Sequence, residues 1–283
     1  MLIDAHQHYW SPARGDYDWM PVDNTTLNRP YGPHDLAPTL ASHGITGTVL
    51  VQAAASVHET EYMLGLSDAT PSILGVVGWI DFESPNDIKH LKRLAQHPKF
   101  LGVRPMIQDI EDVNWMLRPG IAWAYNAIID LDLTFDALGF PKHLPNFGTL
   151  MARYPEMRTA YDHCMKPQIR DAMAGTDAFT DWAADITHLA NETTGCCKLS
   201  GLVTEASDGW TLDDLRPFAD HIITSFGADR VMWGSDWPVC RLQSEYGDWH
   251  DIARRLTSHL SDNDQSQIFG GTAARFYGLS SPT

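Results

Sequence analysis

The 283 residues, 43% of them hydrophobic, suffice for one large α/β domain with a substantial core. A formal charge of −16, with the acids scattered along the chain, argues against nucleic acid or an anionic membrane as partner, since both require a concentrated basic surface. It also disfavours strongly anionic substrates, so a small neutral or weakly charged one fits better. The start of the chain, Met1-Leu2-Ile3-Asp4, lacks the basic and apolar regions of a signal peptide, and no apolar run approaches the roughly 20 residues that span a bilayer. A cytoplasmic protein is expected. The cysteines agree with a reducing compartment: Cys196 and Cys197 are adjacent, Cys164 and Cys240 stand alone, and no Cys-x-x-Cys occurs.

A very short first strand ends at Ile3 and runs into Asp4-Ala5-His6-Gln7-His8. Side chains at i and i+2 leave a strand on one face, so His6 and His8 converge on one point. Imidazole is the commonest metal ligand and the usual general acid or base, although two surface histidines would read the same way locally. Residues 9–35, rich in Pro, Gly, Asp and aromatics, are too long for an ordinary connection and predict a lid or binding loop. Further β-rich runs follow at residues 48–51, 73–79, 101–104, 133–138, 158–161, 196–202 and 230–233.

Helical patterns lie between them. Ser84-Pro85 opens one, with Ile88, Leu91 and Leu94 at helical spacing. Trp182, Ile186 and Leu189 make a second stripe, Thr211 to Asp214 caps a third before Leu215, Phe218 and Ile222, and Ile252, Leu256 and Leu260 make another. These stripes predict core packing and no chemistry. Residues 270–277 read as a turn and a short closing helix. Eight strands whose starts lie roughly 25 to 45 residues apart, with no repeat or linker, predict a single-domain (β/α)8 barrel over residues 1–283.

In such a barrel the chemistry gathers at the C-terminal strand ends. There the chain offers His6 and His8, Trp79, Arg104, Asp136, Asp162-His163, Lys198 with Ser200, and Gly234-Ser235-Asp236-Trp237-Pro238. Taken singly, Asp136 could cap a turn, Arg104 could form an internal ion pair and Lys198 could be a barrel-bottom charge. His6, His8, His163 and Asp236, from strands one, six and eight, are expected to share one site, because a barrel brings those ends within reach of one centre.

Four segments occur in order over nearly the whole chain: Asp4-Ala5-His6-Gln7-His8, Asp162-His163-Cys164-Met165-Lys166-Pro167, Lys198-Leu199-Ser200-Gly201 and Gly234-Ser235-Asp236-Trp237-Pro238. With them the sequence resembles the amidohydrolase superfamily, in its amidohydrolase-2 branch of sugar-lactone and pyrone-dicarboxylate lactonases. Gly201-Leu202-Val203-Thr204-Glu205 and Gly270-Gly271-Thr272-Ala273-Ala274-Arg275 resemble the L-fuconolactonase-like members most. The resemblance implies hydrolysis of an aldonolactone, with Asp236 as general base. Binuclear members carry a carboxylated lysine or a glutamate on strand four and a histidine on strand five. Here those places hold Arg104 and Asp136, so at most one metal is expected. Pro105 stands where many lactonases have His, and Met165 where they have Gly.

Three histidines and Asp236 form a complete ligand set for Zn²⁺, ahead of Mn²⁺, in an optional mononuclear site. Without metal, the same imidazoles could donate to the oxyanion, aided by Arg104 or Lys166, so no cofactor is strictly required. Trp19, Trp79 and Trp237 are candidate stacking surfaces for a sugar-like ring, and Gln108, Lys166 and Glu205 candidate hydrogen-bond partners for hydroxyls. Competing readings are a pyrone- or muconolactone-type hydrolase, a metal-dependent decarboxylase and a non-catalytic ligand-binding barrel. A homo-oligomer is left open.

Overall fold

A computed structural model describes residues 1–171 and 175–280. Eight parallel strands, β1 (Ile3–Gln7), β2 (Gly47–Val51), β3 (Ile73–Gly78), β4 (Phe100–Val103), β5 (Thr134–Ala137), β6 (Arg158–Tyr161), β7 (Cys196–Leu199) and β8 (Val231–Trp233), each pair with the next in chain order. Almost every strand residue is buried, as a parallel sheet covered on both faces requires. Helices α1 (Pro33–Ser42), α2 (Val57–Ala69), α3 (Ile88–Leu94), α4 (Ala122–Asp130), α5 (Leu144–Arg153) and α6 (Asp177–Glu192) alternate with the strands. The rest are α7 (Leu202–Glu205), α8 (Leu212–Phe226), α9 (Tyr246–Leu256), α10 (Asp262–Ser266) and α11 (Thr272–Tyr277). The expected (β/α)8 barrel is observed, and no described helix is long and apolar enough to cross a membrane.

The barrel closes where β1 meets the residues just after β8. Asp236 N–H donates to His6 O (2.8 Å), and His8 N–H donates to Trp237 O (2.7 Å). Asp4, fully buried, accepts from the backbone of both His6 (3.1 Å) and Ser235 (2.9 Å) with one oxygen. Burial pushes its carboxyl up to about 6 against these hydrogen bonds. Gly234 lets the two chains approach this closely: a Cβ there would stand 2.7 Å from His6 Cβ.

Two expected elements differ in detail. The helix after Ser84 begins as a 3₁₀ turn (Pro85–Asp87) before α3. The seventh strand stops at Leu199, because Gly201 at φ 71° turns the chain into α7. Of the loop expected over residues 9–35, residues 9–32 form an ordered flap, and 33–35 already belong to α1. Trp10 and Tyr31 exchange backbone hydrogen bonds (3.0 and 2.9 Å), and Trp10 Nε1 donates to Leu27 O and Arg29 O (3.1 and 3.0 Å). The flap ends at Gly32, where α1 starts with Pro33.

Glu59 of α2 supports the flap from below. Its Oε2 accepts from Ala53 N and Ala54 N (2.9 and 2.7 Å), and the Tyr17 hydroxyl lies beside it. Burial pushes this carboxyl up to about 7, with the backbone bonds opposing. A folded-state value above the unfolded one means the folded protein holds a proton that the unfolded chain releases, so this site destabilises the fold as pH rises from about 4.5 to about 7. Glu59→Gln, which mimics the protonated acid, is expected to flatten the fall in Tm over that interval; an unchanged slope in thermal melts would count against it.

Candidate active site

Both rings of β1 point into the barrel mouth. His8 Nδ1 lies 2.7 Å from Val51 O; a carbonyl only accepts, so Nδ1 carries the proton and Nε2 a lone pair. That Nε2 is 3.2 Å from His6 Nε2 and 3.2 Å from Asp236 Oδ1. The His6 ring stands between two cations: Lys198 Nζ is 3.1 Å from its Nδ1, and Arg104 NH1 is 3.3 Å from its Nε2. Burial first, then Lys198, hold its pKa well below the ordinary histidine value, so the ring is neutral at pH 7. Lys198 and Arg104 both donate, so the neutral ring, with its single lone pair, accepts from one of them at a time.

The third ring comes from the turn after β6. Residues 163–166 all adopt left-handed backbone conformations (φ 54°, 52°, 59° and 49°), at a cost of roughly 1–2 kcal/mol each for non-glycine residues. The turn swings His163 toward the barrel axis, with Ser200 Oγ 2.9 Å from Nδ1 and Asp236 Oδ1 3.8 Å from Nε2. Gly201 leaves room for the ring: a Cβ there would stand 2.8 Å from His163 Cβ. Burial lowers the His163 pKa to about 4, so this ring too is neutral at pH 7. Asp236, also left-handed at φ 56°, is opposed by burial but held well below the carboxylate range by His163, His8 and His6.

Asp236 Oδ1 is thus the point on which all three imidazoles close, at 3.2 Å for His8 and 3.8 Å for His6 and His163. Donor atoms of His6, His163 and Asp236 lie within 4.8 Å of one another, and His8 adjoins two of them. Two acceptors, His8 Nε2 and Asp236 Oδ1, face each other at 3.2 Å. That arrangement calls for one more positive charge, a shared proton or a single divalent ion. The donor set therefore fits one metal bound by nitrogen and oxygen.

A buried charged layer supports the rings. Lys198 Nζ lies 2.5 Å from Asp136 Oδ2 and 3.0 Å from Asp162 Oδ1, and Arg104 NH1 lies 3.1 Å from Asp162 Oδ2. Tyr277 of α11 donates to Asp136 Oδ2 (2.9 Å). Gln52 Nε2 donates to Arg104 O (2.6 Å), and Arg104 NH2 donates back to Gln52 O. Burial would raise the Asp162 carboxyl, but Lys198, His6 and Arg104 hold it well below its usual range. Asp136 caps no turn, and Lys198 is no barrel-bottom charge: both belong to this layer directly beneath His6. Arg104 does form an internal ion pair, and touches His6 as well. The sequence places Asp162 at the end of strand six without giving it a role, and it does not single out Gln52 or Tyr277; the adjacency Asp162-His163 and the i, i+2 spacing of Lys198 and Ser200 are the available signals.

The expected substrate residues divide. Trp19 and Trp79 line a cavity of about 580 Å³, walled by the loops after β1 to β4 with Phe82 and Trp115; His6, His8, His163 and Asp236 are not among its lining residues. Pro105 and Met106, which follow Arg104, form its inner wall. Trp19 Nε1 donates to Ala53 O (2.6 Å), and its ring meets Trp10 edge-on. Lys166 Nζ donates to Gln108 Oε1 (2.6 Å), joining the loops after β4 and β6, but neither lines that cavity. Trp237 packs against Tyr9 and Tyr31 and borders a separate cleft under the flap, so its ring reads as flap packing. Glu205 is half-buried, and burial raises its carboxyl. The four cysteines are free and buried, as expected.

The model of a family described as "Amidohydrolase" matches residues 3–279. The L-fucono-1,5-lactonase of Burkholderia ambifaria is 38% identical over 285 residues, covering 99% of this chain and 97% of its own. The L-fucono-1,5-lactonase of Burkholderia multivorans is 34% identical, covering 100% and 97%. A crystal structure of an amidohydrolase from B. multivorans with bound zinc is similar at a TM-score of 0.91 and 34% identity, covering 99% of this chain and 100% of that one.

Replacing Lys198 by Met would leave Asp136 and Asp162 buried with one cation between them. The expected loss is about 3–5 kcal/mol of unfolding free energy by urea denaturation; a loss under about 1 kcal/mol would show that the layer is not held by this ion pair.

Proposed function

The chain belongs to the amidohydrolase family, and on that footing we propose that it hydrolyses a sugar-acid lactone, L-fucono-1,5-lactone or a close aldonolactone, in the cytoplasm. The observation that carries this reading is the closure of His6, His8 and His163 on Asp236, at the same end of the barrel as the loops after β1 to β4 that wall an aromatic and acidic cavity.

Asp236, ionised where the three rings converge, can take a proton from water as the water oxygen attacks the lactone carbonyl carbon. Its low basicity means the proton is passed on, and the His8 and His163 nitrogens beside it provide the destination. The oxyanion that forms meets the His6 ring and the Arg104 guanidinium; Lys166 stands on the neighbouring loop. The ring C–O bond then breaks, and the departing alkoxide takes the proton from the histidine that received it. His6, His8, His163 and Asp236 would also hold a divalent ion, zinc ahead of manganese, which would supply carbonyl polarisation and a more acidic water.

Charge selects the substrate. The cavity presents Asp16, Asp18, Asp81, Glu83 and Asp109, and no Lys or Arg lines it among the described residues. Carboxylates accept hydrogen bonds from sugar hydroxyls and repel anions, so a neutral polyhydroxylated lactone fits where a pyrone dicarboxylate or a decarboxylase substrate does not. Trp19 and Trp79 offer flat apolar faces to the ring.

Asp236→Asn is expected to lower kcat at least about a thousandfold with a small change in KM, on the usual scale for an acid–base residue. Unchanged turnover of every active lactone in a proton-release assay would end this mechanism. Across a lactone panel, neutral aldonolactones should exceed 2-pyrone-4,6-dicarboxylate in kcat/KM by at least about a hundredfold, the order expected for rejecting unpaired charges; the reverse order would favour the aromatic-lactone reading. Exhaustive chelation with activity retained would assign the carbonyl to the protein's own donors, whereas loss restored by Zn²⁺ would assign it to the metal.

A further inference from the structure

Away from the barrel mouth, the end of α1 meets α9 through two histidines. His43 caps α1, and His250 and Asp251 are successive residues of α9. One ring nitrogen from each histidine and a carboxylate oxygen of Asp251 lie within 4.8 Å of one another. His43 Nδ1 is 2.9 Å from Thr39 O, so Nδ1 bears the proton and Nε2 is left as a free lone pair. Gly247 provides the space for this nitrogen: a Cβ there would come within 2.8 Å of it. His250 is only 7% exposed, with Nδ1 3.3 Å from Asp251 Oδ1 and its buried Nε2 without a hydrogen-bond partner.

The surroundings keep His250 neutral and available. Its ring packs against Trp233 and Phe269, and burial lowers its pKa, with Arg254 and His43 adding to the effect and Asp251 opposing it. Arg254 sits over the Phe269 ring at 3.9 Å, which leaves Asp251 as the carboxylate at His250 Nδ1. The Asp251 side chain is 74% exposed and free to turn.

We propose that His43, His250 and Asp251 form a second divalent-metal site, distinct from the catalytic centre, that takes Zn²⁺ with water as the fourth ligand. Two neutral imidazoles and a carboxylate are a nitrogen–oxygen set suited to zinc, with ligand bonds of about 2.0–2.2 Å that a small contraction of these side chains would reach. Bound there, the ion ties the helix that follows the flap to the helix that follows β8. It plays no part in lactone chemistry, and its effect is on stability. The site stands on its own geometry and is independent of the proposed reaction.

The test is zinc stoichiometry after equilibrium dialysis of the full chain, with thermal melts at matched zinc concentrations. His43→Ala and Asp251→Asn should each bind one zinc fewer per chain than the unaltered protein and lose most of the zinc-dependent rise in Tm, with lactone turnover unchanged. His6→Ala should keep this zinc. Asp251→Asn alters only an exposed side chain, which separates loss of the ligand from loss of the fold. If both variants bind as much zinc as the unaltered protein and show the same Tm rise, the site is refuted.

Discussion

The hydrogen bonds that close the barrel are also the ones that position His6, His8 and Asp236 of the proposed reaction centre. Asp236 N–H to His6 O and His8 N–H to Trp237 O join the first strand to the segment after the eighth. They set the spacing of Asp236 from His6 and His8 through the backbone, where it is stiffest, instead of through flexible side chains. Asp4 fastens the same seam from inside by taking two backbone N–H groups on one buried oxygen. Gly234 makes the approach sterically allowed. A reaction centre placed this way has little freedom to relax, which is what preorganisation requires.

The second determinant is the charged layer under the rings. Lys198 and Arg104 face Asp136 and Asp162 out of water, and His6 lies between the two cations. The layer thus keeps His6 neutral beside His8 and Asp236. The same layer explains why strained backbone is tolerated at Asp236 and in residues 163–166: the surrounding ion pairs over-determine the conformation.

Much of this was legible in the sequence, for identifiable reasons. The apolar runs of eight strands sit at barrel spacing, and His6, His8, His163 and Asp236 fall at strand ends where the topology has only one place to put them. Lys198 and Ser200 share a strand face by period two, although the direction of that face was not readable. Asp162 passed unassigned because its partners, Arg104 and Lys198, lie 58 and 36 positions away and pairing at such range leaves no local pattern. Tyr277 reaches Asp136 from a terminal helix, 141 positions distant. Trp237 looked like a pocket wall because it adjoins Asp236, but strand-end geometry turned its neighbour inward and its own ring under the flap.

The seam has a consequence for how this protein comes to be active. His8 and Asp236 are 228 positions apart, so the last strand pairing to become possible during synthesis is the one that brings them together. Until then β1 has an unpaired edge, a template for pairing with another chain, and its long-range closure is the slow kind of folding event. A chain that stops before residue 236 lacks both the closing hydrogen bonds and the carboxylate of the proposed centre.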